Sequence, residues 1–142
     1  MYKSIGKLQY SLDDDLKDKL ILEVDKEISI YYRNLIPKHI KLNYQKFLPH
    51  ISVIRKEKVL DQSLLKSFHG LEVHFEYDNF IHNDDTYYWL NAYSNDLILL
   101  RNKLSLPNYS ELCKPPDGTN CFHITIGNTK VLKWFRLEIF IL

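Results

Sequence analysis

The sequence predicts a single α+β domain over residues 1–142, with antiparallel strands backed by helices on their outer faces. Three observations lead there. Stretches of alternating apolar and polar residues recur, as in 39–46 and 71–77, and a period of two marks strands. Two longer stretches repeat apolar residues at steps of three and four, the helical spacing. Two tetrapeptides half a chain apart share one pattern, His50-Ile51-Ser52-Val53 and His123-Ile124-Thr125-Ile126.

Residues 2–10 read as a strand. Ser11 then suits a helix N-cap with Asp14 three residues on, and Asp13 to Asp15 suit the positive end of a helix dipole. Leu12, Leu16, Leu20, Val24, Ile28, Tyr31 and Leu35 form one apolar stripe, so the pattern predicts a continuous helix ended by Pro37. Residues 39–46 place Ile40, Leu42 and Tyr44 on one face and predict a strand paired with a motif strand over 50–55. Asp61 caps a short helix carrying Leu64, Leu65 and Phe68, closed by Gly70. Over 71–78, Leu71, Val73, Phe75 and Tyr77 alternate with Glu72, His74, Glu76 and Asp78 as a half-exposed strand. His82 to Asp85 reads as a turn rather than a ligand cluster, and 86–94 as the returning strand. A second helix covers 95–105, with Leu97, Leu100, Arg101 and Leu104 on its facing turns. Residues 106–120 form a proline-rich loop placed to act as a lid over the second motif strand. The alternation from Trp134 to Leu142 predicts a final strand.

Composition narrows the function classes. Apolar content of 45% and charged content of 26% are those of an ordinary soluble domain. A formal charge of +1 gives no basis for binding a long nucleic acid, though a small anion in a locally basic pocket is compatible with it. Cys113 and Cys121 have no metal-ligand spacing; free thiols in a reducing compartment are the expectation. Residues 1–4 lack the apolar core of a signal peptide, and no run approaches the ~20 residues that span a bilayer. The reading is a cytoplasmic monomer with no membrane partner, no metal and no cofactor.

Within each tetrapeptide, alternation puts the histidine and the hydroxyl on one face and the two aliphatic residues on the other. Ile51 and Val53, and Ile124 and Ile126, would anchor the strands in a core. His50 with Ser52, and His123 with Thr125, would then line one cavity. Two imidazoles and two hydroxyls can hold a phosphate and move protons on both sides of it. Which histidine is base and which is acid stays open. Secondary candidates for substrate contact are Tyr10 at the end of the first strand, Trp89 as a stacking platform beside Tyr87, and Lys114 near the second motif, with Lys130 also close. Gly127 would leave room for a ligand at the strand end.

The doubled pattern of histidine, aliphatic, Ser or Thr, aliphatic resembles the two-histidine (2H) phosphoesterase superfamily. The resemblance covers both tetrapeptides fully and the order of elements around them loosely; His39-Ile40-Lys41-Leu42 comes near it but lacks the hydroxyl. It implies a bilobal fold, two antiparallel-sheet lobes with outer helices facing a central cleft, each lobe giving one histidine strand. It also implies a first strand lining that cleft, which is why Tyr10 enters the candidate set. The implied activity is metal-independent phosphodiester cleavage, with His50 and His123 catalytic and Ser52 and Thr125 on the phosphate. A short chain rich in Ile, Lys, Asn and Tyr is similar to the small viral members that remove 2′,5′-oligoadenylate and silence a host antiviral ribonuclease, which would place it in host cytoplasm. Cyclic oligonucleotide messengers and 2′,3′-cyclic phosphates are alternative substrates. The alternative from another class is a non-catalytic nucleotide-binding module.

Overall fold

The computed structural model describes residues 1–131; the strand expected from Trp134 to Leu142 lies outside them. The elements run β1 (Tyr2–Leu12), β2 (Asp18–Glu23), α1 (Lys26–Leu35), β3 (His50–Arg55), α2 (Gln62–Ser67), β4 (Glu72–Tyr77), β5 (His82–Asn83), β6 (Tyr87–Tyr93), α3 (Asn95–Lys103) and β7 (Phe122–Asn128). The fold is α+β, and every strand pairing is antiparallel. The strand order is β4-β1-β2-β3-β7-β6-β5. Because β4 also pairs with β6, six of the strands close into a ring. Two seams in that ring are narrow. β3 meets β7 at the single pair Ile51–Ile124, and β4 meets β6 at Glu76–Tyr93 and Tyr77–Ala92.

The helix expected over residues 12–35 is the largest correction. Its first half is the turn and second strand of a hairpin, with Tyr10 opposite Leu20 and Leu8 opposite Leu22. The acidic triplet makes the turn instead of starting a helix. The Asp13 carboxylate accepts from the backbone N–H groups of Asp15 and Lys17, and Leu16 sits at φ 61° with its side chain in solvent. Leu20 and Val24 fit a helical stripe, but Leu20, Leu22 and Val24 also alternate, and all three are buried. Two neighbouring strand edges decided between the periods. What remains helical is α1, capped by Asp25, whose carboxylate accepts from Glu27 N–H. It buries Ile28 and Tyr32, while the expected Tyr31 and Leu35 are exposed.

The strand expected over 39–46 is also absent. Both edges of β3 are taken, by β2 and by β7, so no edge is left for it. The segment instead runs across the end of β7, where Asn43 N–H donates to the Asn128 carbonyl and its Nδ2 reaches Asn128 Oδ1 and the Lys130 carbonyl. The remaining expected strands and helices among the described residues agree with the structure to within a residue or two, except that His82 and Asn83 of the expected turn form β5. Asp61 caps α2 and Gly70 follows at φ 86°. Turn residues after His82-Asn83 connect β5 to β6. α3 buries Leu97, Leu100 and Arg101, and Leu104 just beyond it is buried as well.

One buried cluster joins the strands to the helices. Leu8, Leu20, Leu22, Ile51, Phe75, Leu90 and Ile124 share it with Ile28 and Tyr32 of α1, Leu65 of α2 and Leu97 and Leu100 of α3. Burial of such side chains is worth roughly 1.5–3 kcal/mol each. The sheet face that carries Ile51 and Ile124 is therefore the core face, and the opposite face of β3 and β7 is left for the histidines. Among the described residues no helix is long and apolar enough to cross a membrane.

Candidate functional site

His50, Ser52, His123 and Thr125 lie on one face. Ile51 and Ile124 are directly opposed across β3 and β7 and both are fully buried. Alternation then sends the four polar side chains to the other side. The antiparallel sense sets Thr125 level with His50 and His123 level with Ser52, so the imidazoles form a diagonal pair, a separation of about 7–8 Å at the backbone. All four are half-buried.

Each imidazole is held the same way. His50 Nδ1 is 2.8 Å from the Leu48 carbonyl and His123 Nδ1 is 3.0 Å from the Cys113 carbonyl. A carbonyl only accepts, so each Nδ1 carries the proton and each Nε2 is the basic nitrogen. Burial lowers both histidines below the ordinary value of 6.5, and the carbonyl contacts oppose that shift without reversing it. Lys19 and Arg55 push His50 the same way as burial, and Arg55 and a charged His50 do so for His123. Both rings are thus neutral more readily than a free histidine.

The two motif strands share a backbone irregularity. Ser52 opposes Ile21 while Ile54 opposes Leu20, which leaves Val53 as an extra residue in β3. Thr125 opposes Trp89 while Gly127 opposes Tyr88, which leaves Ile126 as an extra residue in β7. Each bulge falls directly after the hydroxyl residue and flips the alternation beyond it. In β3 the flip buries both Val53 and Ile54 and turns Arg55, opposite Lys19, onto the histidine face. Arg55 owes its place beside the histidines to that extra residue, whereas Lys19 reaches the same face by the ordinary alternation of β2 with Ile21 and Glu23.

A buried strut supports both motifs from behind. Arg101 is fully buried. Its Nη1 donates to the Val53 carbonyl at 2.7 Å and its Nε to the Pro107 carbonyl at 2.8 Å. Nη1 and Nη2 grip the Glu57 carboxylate at 2.7 and 2.8 Å. Cys113 Sγ donates to the same Val53 carbonyl, and the Cys113 carbonyl is the one that orients His123. The loop expected to be a lid is therefore, in its middle, a pedestal for His123. Both cysteines are free and buried, and burial pushes the Cys121 thiol up to about 11.

The secondary candidates fare unevenly. Tyr10 lies on the opposite face, packed on the core with its hydroxyl donating to Asp18 at 2.7 Å, so it is not part of the site. Trp89 is on the histidine face, level with Thr125, but is 1% exposed. His82 stacks on it at 6.0 Å and Asn91 accepts from its Nε1, so no ring face is open to a base. Lys114 follows Cys113 and its Nζ lies 3.4 Å from the Glu111 carboxylate. Lys130 instead borders a cavity of about 470 Å³ whose wall includes His50 and Thr125. The space that Gly127 leaves is filled by protein, since a Cβ there would stand 2.9 Å from Arg33 Nη1 and 3.1 Å from Leu42. Gly127→Ala should accordingly cost about 1–3 kcal/mol through overpacking, read as a lowered midpoint in urea unfolding; an unchanged midpoint would mean that Arg33 yields freely.

Sequence reasoning missed Arg55, Lys19 and Asn91, which lies level with His123. Nothing in local composition marks them, because their placement depends on register and on the two bulges. Among the described residues no group of three or more His, Cys, Asp or Glu side chains is arranged to hold a metal ion. No protein-family model, curated protein or solved structure matches the chain.

Proposed function

We propose that the protein is a two-histidine phosphodiesterase that cleaves 2′,5′-linked oligoadenylate without a metal ion. The observation that carries this reading is the pair of imidazoles on one sheet face, each with Nδ1 tied to a backbone carbonyl and Nε2 left basic. The two halves of the sheet, β4-β1-β2-β3 and β7-β6-β5, meet at a one-pair seam flanked by those histidines, and the reading takes them as two lobes about a central cleft. In a 2′,5′ linkage the free 3′-hydroxyl attacks phosphorus. One Nε2 takes its proton as the P–O bond forms, and the other imidazole, protonated, gives a proton to the departing 5′-oxygen. The products are a 2′,3′-cyclic phosphate and a 5′-hydroxyl. Ser52 and Thr125 donate to non-bridging oxygens, where charge develops, and Lys19 and Arg55 favour the anion. The acid needs a proton that the free site holds weakly, and an arriving phosphodiester anion raises the affinity for it.

The test is a panel of 2′,5′-oligoadenylate, 3′,5′-oligoadenylate, cyclic dinucleotides and 2′,3′-cyclic mononucleotides, with and without excess chelator. Cleavage of the first to a cyclic phosphate, unaffected by chelator, is the expected result. Binding without turnover would favour a nucleotide-binding module, and selective cleavage of a cyclic substrate would move the assignment there. The pH profile is a second test. One histidine must be neutral and the other charged, so kcat/KM is bell-shaped. Both free-site values lie below 6.5, so the maximum should fall on the acid side of 6.5. An optimum well above neutrality would contradict the assignment.

A further inference from the structure

We infer that the 470 Å³ cavity beside His50 is a subsite for a purine base, that of the nucleotide adjoining the scissile phosphate on the His50 side. This rests on the phosphodiesterase reading above. The volume is that of a small-molecule pocket, and continuity is direct, since His50 and Thr125 belong to both the cavity wall and the histidine face. A nucleotide with its phosphate between the histidines has this space next to it.

The far wall is the segment that departs from strand geometry. Tyr44 and Phe47 line the cavity, yet are 92% and 62% exposed. Aromatic rings held that far into solvent contribute little to the core and offer faces for stacking. The ammonium groups of Lys19 and Lys46 lie 5.7 and 5.5 Å from the Phe47 ring centroid, which steadies that ring and adds positive charge where a polyanion would pass. Gln45 supplies polarity of one sign. Ser29 Oγ donates to its Oε1 at 2.7 Å, leaving the Nε2 donors for a ligand. With Lys46 and Lys130 also on the wall and no carboxylate among the lining side chains, the cavity offers donors, which suits the ring-nitrogen acceptors of a purine.

The cavity is built rather than incidental. Arg33 donates to the carbonyls of Ile126 at 2.9 Å and Asn43 at 3.1 Å, so the helix, the segment and β7 are tied together at its base. Only glycine at 127 lets the guanidinium approach so closely.

The experiment titrates adenosine 5′-monophosphate and, as a base-free control, ribose 5-phosphate into ¹⁵N-labelled protein, for the wild type and for Tyr44→Ala/Phe47→Ala. Both side chains are exposed, so the variant should fold, and its thermal unfolding is recorded alongside. The expected result is tighter binding of the nucleotide than of the sugar phosphate, with shifts at amides 43–48 and 127–130 and at the Gln45 side chain. The double variant should weaken nucleotide binding by about tenfold, within the worth of base–aromatic stacking, and leave ribose 5-phosphate unchanged. Equal affinity for the two ligands, or shifts confined to other surfaces, would overturn the subsite. The two readings fail separately. Nucleotide binding here without turnover of any diester keeps the subsite and removes the enzyme. Turnover of 2′,5′-oligoadenylate with KM unchanged in the double variant keeps the enzyme and removes the subsite.

Discussion

His50→Ala and His123→Ala should each reduce turnover of 2′,5′-oligoadenylate by about 10²–10⁴-fold, the usual worth of a positioned general acid or base. Both should remain folded, because each ring is half-buried and contributes one hydrogen bond to a backbone carbonyl. The double variant should be little slower than the worse single one, since groups acting in one step are strongly non-additive. Ser52→Ala and Thr125→Val should lose less, as each removes one donor to the phosphate. Steady-state turnover measured beside thermal unfolding separates a chemical effect from a folding one. A folded histidine variant with near-wild-type activity would remove the mechanism.

Arg101→Met should be strongly destabilising although it lies away from the histidines. It deletes a guanidinium that satisfies the Val53 and Pro107 carbonyls and leaves the Glu57 carboxylate without its partner. Removing one member of a buried ion pair costs about 3–5 kcal/mol. Glu57 keeps some solvent contact, its side chain being 15% exposed, which points to the lower end, about 3 kcal/mol. Urea unfolding gives the value, and Arg101→Met/Glu57→Gln should recover part of it by removing the stranded charge. Turnover should also fall, because Cys113, which orients His123, shares the Val53 carbonyl with Arg101. A loss below 1 kcal/mol would mean that water reaches and satisfies the strut.

Much of the fold was legible because burial and alternation coincide at the motif strands. Ile51 and Ile124 read as core from the tetrapeptides alone, and both are fully buried. Asp61 and Gly70 gave α2 its ends through local chemistry that needs no tertiary context. The misreadings share a cause: a non-local competitor settled what the local pattern left degenerate. Leu20 belongs to a four-residue stripe and to a two-residue alternation, and pairing with β1 and β3 selected the second. Tyr44 alternates with Leu42, but β3 had no edge to offer it. The candidate site divides likewise. The histidines and hydroxyls were readable from period two, whereas Arg55 required a bulge at Val53 that no residue type announces. Trp89 was placed on a usable strand, but its burial under His82 depends on the β5–β6 hairpin closing over it.

Closure of the strands into a ring also bears on self-association. Edge strands with free N–H and C=O groups template pairing with other chains, and short Ile- and Tyr-rich segments of high β propensity are those most prone to it. Here each of the six ring strands has a neighbour on either side, and among the described residues only two-residue β5 ends the sheet. That protection depends on the one-pair β3–β7 seam and on the β4–β6 seam, two residue pairs long. Opening the second would bare an edge on β4 and another on β6 without disturbing the hairpins that flank them. For the described residues, shielding of the strand edges therefore requires that both short contacts hold, Ile51–Ile124 on one side of the ring and Glu76–Tyr93 with Tyr77–Ala92 on the other.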